Sequence, residues 1–479
     1  MTDQMRIVPL FLSSIILAGI LAGCAVGPDF EHPPAPSGDA LGAPPTATPS
    51  ADGVAQRFDA DPAIPAEWWR LFGSEELDRL VQEALRENPT AQAAEANLRV
   101  AEDNLKAGSG VFYPALDAGF NATRQRFSTA RFGGTSASIF NLFTLSTTVT
   151  YALDVFGGQR RQVEALSATA DAQKAALQGS WLTLTGNVVN TILARAGYEA
   201  EIEARKAVIA LEKEQVSATE AQVRAGTAPY SALLSLQSQL AGAEAALPPI
   251  EQAADRARHL LAQLSGHTPG EAAPPSIGLQ ALTLPAGLPA GLPSELVRRR
   301  PDILAAEGRL HAASAQIGVA TAALFPSVTL TAGFGVNATK TKNLLSQSSS
   351  FWSFGPEITA PIFHGFTLEA ERQAAIDAHA AAQAQYRETV LEAFTQVADT
   401  LRALEHDAEA LGAQVLAQAA AKEALDLIQA NYAAGIATYV QVELADTQYQ
   451  QTRIGYIEAL AQRFQDTVAL YVALGGGWS

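Results

Sequence analysis

The sequence predicts an internally duplicated α+β fold, with each copy ordered as helix, two strands, helix, turn, helix. Three observations carry this. Two long Ala-rich stretches repeat each other's landmark residues in register, and each holds paired segments in which apolar and polar residues alternate. In addition, the stretch from Gln159 to Arg224 contains no Pro and is far longer than an ordinary globular helix.

The duplication is visible residue by residue. Asn88-Pro89, Glu95, Leu98, Leu105 and Tyr113-Pro114 stand opposite Arg300-Pro301, Glu307, Leu310, Ile317 and Phe325-Pro326 at a constant offset of 212. Further on, Val155-Phe156-Gly157-Gly158 answers Ile362-Phe363-His364-Gly365. The stretch from Arg224 to Tyr230 likewise answers that from Ala433 to Tyr439.

The opening segments of the two copies, Glu75 to Gly108 and Asp302 to Leu324, are rich in Ala, Leu, Glu and Arg and read as helices. Strands follow. Val328, Leu330, Ala332, Phe334, Val336 and Ala338 alternate with Thr329, Thr331, Gly333, Gly335, Asn337 and Thr339. In the first copy Leu145, Val149, Tyr151, Leu153 and Val155 alternate with Ser146, Thr148, Thr150 and Asp154, while Leu116 to Arg126 and Trp352 to Ile362 alternate more weakly. The intervening loops, Phe127 to Ile139 and Lys340 to Ser350, are rich in Ser, Thr, Gly and Asn, as solvent-facing turns require. Periodicity alone also fits hairpins that cover the end of a soluble helical bundle.

At about 1.5 Å per residue, Gln159 to Arg224 extends to about 100 Å as a helix. Val163, Leu166, Ala170, Leu177 and Leu184 fall on heptad positions, and Leu233, Leu236, Leu240, Ala243 and Leu247 resume the spacing after the turn. The Ala content lets helices approach closely on two sides, which suits a closed ring of helices. A plain antiparallel coiled coil is the simpler alternative.

Composition narrows the function. A net charge of −17, from 49 acids against 32 bases, argues against nucleic acid as a partner. The lone cysteine, Cys24, excludes intramolecular disulfides and Cys-based zinc or redox motifs. It ends a targeting segment: Arg6 supplies a positive start, Ile7 to Ile20 an apolar run, and Leu21-Ala22-Gly23-Cys24 resembles the lipobox of bacterial lipoproteins. That resemblance implies a signal peptide over 1–23, a covalent lipid such as palmitate on Cys24 and, because Ala25 rather than Asp follows, sorting to the outer membrane. Several acyl chains at about 0.8 kcal/mol per buried methylene make such an anchor essentially permanent. Both Met residues, Met1 and Met5, precede Cys24, so the mature chain has no Met-rich metal relay. From Cys24 to Pro65 the Pro, Gly, Ala and Ser content reads as an extended tether, and 266–293 as a linker of like composition.

A strand set that crosses a bilayer must leave no open edge, because unpaired backbone groups are not satisfied there. Four strands from one chain do not close, whereas three chains give about twelve, and known bacterial barrels begin at about eight. The number three is not fixed by the sequence itself.

The run Glu67-Trp68-Trp69-Arg70-Leu71-Phe72, with Leu77-Asp78-Arg79-Leu80-Val81 and Asn88-Pro89, resembles the opening motif of outer-membrane efflux lipoproteins of the TolC superfamily, NodT branch. So does the stretch from Leu292 through Arg298-Arg299-Arg300-Pro301-Asp302-Ile303, followed by Ala306-Glu307, Ala315-Gln316-Ile317-Gly318 and Phe325-Pro326-Ser327. The resemblance spans nearly all of the mature chain. It implies a TolC-like homotrimer whose twelve-stranded β-barrel lies in the outer membrane and continues as a periplasmic α-helical coiled-coil barrel. The implied function is a passive exit duct for small molecules, driven by an inner-membrane pump through a periplasmic adaptor.

The chain then divides as signal peptide 1–23, lipidated tether 24–65, first efflux repeat 66–265, linker 266–293 and second repeat 294–479. Strands are expected near 115–126 and 142–156, then near 327–339 and 351–363, with tip turns near 225–229 and 434–439. The resemblance makes Gly226 and Thr227, with Gly435 and Thr438, the adaptor-docking tips; tight helix-reversing turns are the alternative reading. In related channels a carboxylate ring below the second tip constricts the pore. The aligned position is Leu444, so the flanking Glu443 and Asp446 are the gate candidates, or else solvated helix-face charges.

No catalytic apparatus is visible. H-E-x-x-H, C-x-x-C, G-x-x-x-x-G-K-[ST] and G-x-S-x-G are all absent. The seven His residues never pair at i, i+3 or i, i+4, so neither a metal site nor any cofactor beyond the lipid on Cys24 is signalled. Gly157 to Arg161 fits either an anion cradle at a helix start or a strand-to-helix transition, and Arg298-Arg299-Arg300 either pairs with acids or faces solvent. The competing functional reading is a lipid-anchored periplasmic coiled coil without channel activity. Multiplied by three, the acidic charge predicts a mildly cation-selective duct.

Overall fold

A computed structural model describes residues 25–34, 46–59, 64–128, 130, 133, 135, 137–271, 274–289 and 297–477. The targeting segment, Cys24 and the motif residues Leu292 to Leu296 lie outside them. The chain forms two compact units, one made of residues 1–32, 99–172 and 306–386, the other of residues 33–98, 173–305 and 387–479.

The first unit holds a four-stranded sheet: β2 (Ala115–Ser128), β3 (Ala137–Leu153), β5 (Ser327–Ala338) and β6 (Ser350–Thr359). The order is β2-β3-β5-β6, every pair is antiparallel, and β2 and β6 are edges. β3 begins at Ala137, inside the stretch expected to be loop, because Ile139 and Phe143 extend its apolar alternation back toward β2. In the loop after β5, the Ser349 hydroxyl donates to the Asn343 carbonyl at 2.7 Å, giving that polar stretch local order.

The second unit is helical. Helix α1 (Glu75–Glu87) starts where Ser74 Oγ accepts from the Leu77 amide at 3.2 Å, and Glu75, Glu76 and Asp78 complement its N-terminal dipole. Helix α2 (Pro89–Gly108) follows at once. Pro89 occupies its first position, where no amide hydrogen is needed, and Asn88 Oδ1 caps the Thr90 amide at 2.8 Å. Asn88 Nδ2 also donates to the Leu264 carbonyl at 2.9 Å, so one side chain starts one helix and ties down the end of another.

The long helices repeat in length as well as in sequence. α3 (Gly158–Arg224) and α6 (Thr367–Ala433) each have 67 residues, while α4 (Tyr230–Leu264) and α7 (Tyr439–Ala473) each have 35. A shorter helix, α5 (Pro301–Ala322), opens the second copy. In the second unit α3 and α4 run antiparallel, linked by Lys206–Glu251 at 2.9 Å and Lys213–Glu244 at 2.8 Å. Against α7, α3 approaches so closely that a methyl added to Gly186 would meet Val472 Cγ2 at 2.7 Å, and one on Gly197 would meet the Ala461 Cβ at 3.1 Å. The heptad residues Leu177, Leu184 and Leu233 are buried, whereas Leu236, Leu240, Ala243 and Leu247 are half-buried. α4 also carries Pro248 and Pro249 in its interior, where each removes a helical amide donor.

The core of this unit centres on Trp68, stacked on Tyr471 with ring centroids 5.3 Å apart, and on buried Phe72, Leu77, Val81 and Phe464. The expected tether and linker meet here. Arg57–Asp59 (β1) pairs in parallel with Gly287–Pro289 (β4), and Gln56 is fully buried. Gln56 Nε2 donates to Thr467 Oγ1 and to the Pro285 carbonyl, both at 3.1 Å. Beneath it Arg463, also fully buried, donates to Gln56 Oε1, Thr48 Oγ1 and the Ala51 and Val54 carbonyls. Residues 48–59 are therefore a packed strap rather than a free tether, because a buried guanidinium needs the acceptors they supply.

Candidate channel elements

The sheet has two chemically opposite faces. Its register places Leu116, Phe120, Leu145, Val149, Val336, Ala332, Phe334, Trp352, Phe354 and Ile358 together on one side. Asn121, Thr144, Ser146, Thr148, Thr331, Gly333, Asn337 and Ser353 share the other. In a soluble sheet the apolar side would be covered. Here it is open: Phe334 is 63% exposed, its cross-strand neighbour Trp352 is 79% exposed, and Leu116, Phe120, Phe354 and Ile358 are exposed with them. This uncovered apolar face is the surface suited to lipid. Among the described residues no helix is long and apolar enough to cross a membrane. The small residues of the polar side leave room along it, and at Gly335 the Phe351 ring lies across the missing side chain.

At the strand ends that lead into helices, the segment beginning at Ala25 is pinned in place. The Val26 amide donates to the Phe156 carbonyl at 3.0 Å, and Gly27 packs so tightly on Gly318 that a methyl would overlap its Cα. Phe30 stacks on His311 at 4.2 Å, and Arg161 binds Asp29 at 2.6 Å and Glu164 at 2.8 Å. The Arg161 and His311 contacts hold the Glu164 carboxyl below its ordinary range although burial opposes them. Sequence reasoning passed over this clamp, since Asp29 and Arg161 are ordinary charges until the fold joins them.

Two of the sequence alternatives resolve here. The start of α3 does not offer an open anion cradle, because Asp154 fills it, accepting from the Gln159 and Arg160 amides at 2.9 Å each. Arg300 does not face solvent. It is buried and donates to the Ala473 carbonyl at the end of α7, to Gln396 and to Asp302, while Arg298 and Arg299 are exposed.

The tips form matching turns. Gly226 has φ +75° and Gly435 φ +74°, the left-handed region that a side chain would strain, and open space surrounds both. The Gly226 and Thr227 amides donate to the Val223 and Gln222 carbonyls, and the Gly435 and Ile436 amides to those of Tyr432 and Asn431, a double closure typical of a helix ending in glycine. The two tips differ in polish. Thr227 Oγ1 adds a bond to the Gln222 carbonyl at 3.1 Å, while the Thr438 amide donates to Gln441 Oε1 at 2.8 Å to start α7.

The gate candidates separate. Glu443 is 1% exposed, and neither carboxylate oxygen has a hydrogen-bond partner among the described residues. Burial, and then the charge of Glu214, push its carboxyl above the usual range. It belongs to the packing of α7 against α3 and does not present a charge to open space. Asp446 is half-buried and accepts from Gln450 at 3.2 Å, and Leu444 is the exposed residue between them. Tyr439, whose hydroxyl donates to Glu214 at 2.8 Å, was not singled out by sequence; its hydroxyl pKa is raised to about 12 mainly by that bond.

An open sheet with an exposed apolar face, joined to helices of 67 residues, defines a membrane-inserted β-structure with a long helical extension. The comparisons agree. A family model described as outer membrane efflux protein matches residues 80–267 and 292–476, and the chain belongs to that family. It is 30% identical to the outer membrane protein OprJ of Pseudomonas aeruginosa over 98% of this chain and 96% of OprJ. Nodulation protein T of Rhizobium leguminosarum bv. viciae is 29% identical over 98% of this chain and 94% of that protein. The solved outer-membrane channel OprN superposes with a TM-score of 0.84 at 28% identity, covering 95% of this chain and 100% of OprN. The protein is thus a TolC-like outer-membrane channel component of an efflux system rather than an enzyme or a non-conducting periplasmic coiled coil.

Proposed function

We propose that three copies of this chain close one twelve-stranded barrel and act as the passive exit duct of a tripartite pump. The observation that carries this reading is the four-stranded sheet with two unpaired edges, β2 and β6, and an uncovered apolar face. Pairing β6 of one copy with β2 of the next satisfies every edge and turns the apolar face to lipid and the Thr- and Ser-rich face to a water-filled lumen. Leu391, Leu416 and Leu427 on α6 are exposed in the single chain, as surfaces awaiting neighbouring helices would be.

The tips, Gly226 with Thr227 and Gly435 with Thr438, are the docking points for a periplasmic adaptor that links the duct to an inner-membrane pump. Asp446 is the better placed of the two gate candidates. Cys24 carries the lipid; Ala25, the next residue, packs on Gly157 just past the end of β3, so acyl chains would enter the bilayer beside the barrel. Relatives are named for pyoverdine export and for cation efflux, a range that fits a duct whose cargo is chosen by its pump.

Single-channel recording in a planar bilayer, with oligomer mass measured on the same sample, tests the reading. Discrete cation-selective steps from a trimer are expected. A silent, non-trimeric protein would sink it.

A further inference from the structure

The charge of the membrane sheet is segregated along its length. From Ala118 to Leu153 and from Ser327 to Pro356 the sequence contains Arg124, Arg126, Arg131, Lys340 and Lys342 and not one acid, in a chain whose net charge is −17. The sheet's two acids, Asp117 and Glu357, lie near the strand ends that lead into helices, opposite Thr148 and Thr329. The end bearing the loops is wholly basic.

Two of these bases occupy an unexpected side. Arg124 pairs with Asn141 and Arg126 with Ile139, in register with Leu116–Val149 and Phe120–Leu145, so both arginines belong to the apolar face. The polar face carries neutral Thr123 and Gln125 at the same level. Both arginines are exposed, and neither makes an ion pair with any described residue. Their Cα atoms, two residues apart on one strand, are about 7 Å from each other. A guanidinium on a lipid-facing side is costly in hydrocarbon and is retained where it reaches the interface. There its planar fork suits bidentate binding of phosphate.

We propose that Arg124 and Arg126 form a lipid-facing clamp at the outer rim of the barrel for the phosphorylated headgroup of an outer-leaflet lipid. Lys340 and Lys342, exposed in the loop after β5, add to the attracting field. The clamp rests on the barrel reading, because only a membrane places lipid against this face. It commits to lipid rather than to a soluble anion because the charge stands on the face it shares with Ala122, Ile139 and Phe143 and not on the lumen side.

The test uses the purified full-length channel in neutral detergent, titrated with bisphosphorylated lipid A, with the same lipid stripped of phosphate, and with inorganic phosphate. Melting temperature and native mass report binding, and oligomer mass and conductance are recorded on every sample. Wild type is expected to bind the phosphorylated lipid at least about tenfold more tightly than the stripped one. The double variant Arg124→Gln with Arg126→Gln should lose about tenfold in affinity, the double Lys variant should recover part of it, and inorganic phosphate should not compete. Equal binding of the two lipids by wild type, or unchanged affinity in the Gln variant, overturns the clamp. Competition by inorganic phosphate overturns the lipid source in favour of a free-anion site. A wild type that neither conducts nor forms a trimer refutes the barrel reading instead, and that result is distinct because it is read without any lipid added.

Discussion

Phe334→Lys, placed on the open face of β5, probes the assignment of the two sheet faces directly. The ring is 63% exposed in the single chain, so lipid has about 120 Å² of it left to cover, worth about 3 kcal/mol at 25 cal/mol per Å². A Lys on the lipid face adds a cost of about 2–4 kcal/mol near mid-bilayer, so the substitution should weaken the barrel by about 5 kcal/mol per chain. Thr331→Lys, on the opposite face of the same strand, puts the same charge into the lumen and should cost no more than about 1 kcal/mol. The assay is folding into phospholipid vesicles at increasing urea, followed by retention of the heat-sensitive oligomer. If Thr331→Lys proved the more damaging, or the two substitutions cost the same, the faces would be assigned backwards and the argument from exposure would fail.

Other outcomes follow from the helical unit. Arg463→Leu strands the buried acceptors of the strap, Gln56 Oε1 and the Ala51 and Val54 carbonyls, and should cost about 3–5 kcal/mol, read as faster hydrogen exchange over residues 48–58; unchanged exchange there would refute the strap. Gly226→Val with Gly435→Val forces β-branched side chains into φ near +75° at about 1–3 kcal/mol per site, and should abolish export while trimer and lipid attachment persist. Normal export would remove the tips from adaptor docking. Burial, reinforced by neighbouring Asp466, pushes the Asp407 carboxyl up to about 8, so the folded chain keeps a proton that the unfolded chain gives up above its ordinary value near 4. Stability from this group is therefore full below about pH 4 and is lost as pH rises toward 8. Asp407→Asn should flatten the fall in melting temperature across that window, and an unaltered pH slope would count against the half-buried Asp407–Asp466 pair.

The part of this protein that lies in local periodicity was legible in its sequence. Alternation at Val328 to Ala338 describes a two-faced strand wherever it is placed, and the spacing of Leu177 and Leu184 describes a helical seam. A glycine closing a helix, as at Gly226 and Gly435, is likewise a local requirement of the backbone, and the offset of 212 states the repeat without any coordinates. Associations between distant residues are not written in a single sequence, because they depend on which surfaces meet after the chain has turned back on itself. That is why Glu443, by sequence a gate candidate or a solvated helix-face charge, is buried against α3, and why Arg300 ends α7 instead of meeting solvent. It is also why a Pro- and Ala-rich tether supplies the acceptors that satisfy Arg463. The sequence determined a duplicated chain of strands and long helices that suits a membrane. Only the tertiary structure decided that Leu116, Leu145, Val336 and Trp352 share one uncovered face and that Arg124 and Arg126 stand on it, because cross-strand register, and not composition, selects which side chains a bilayer meets.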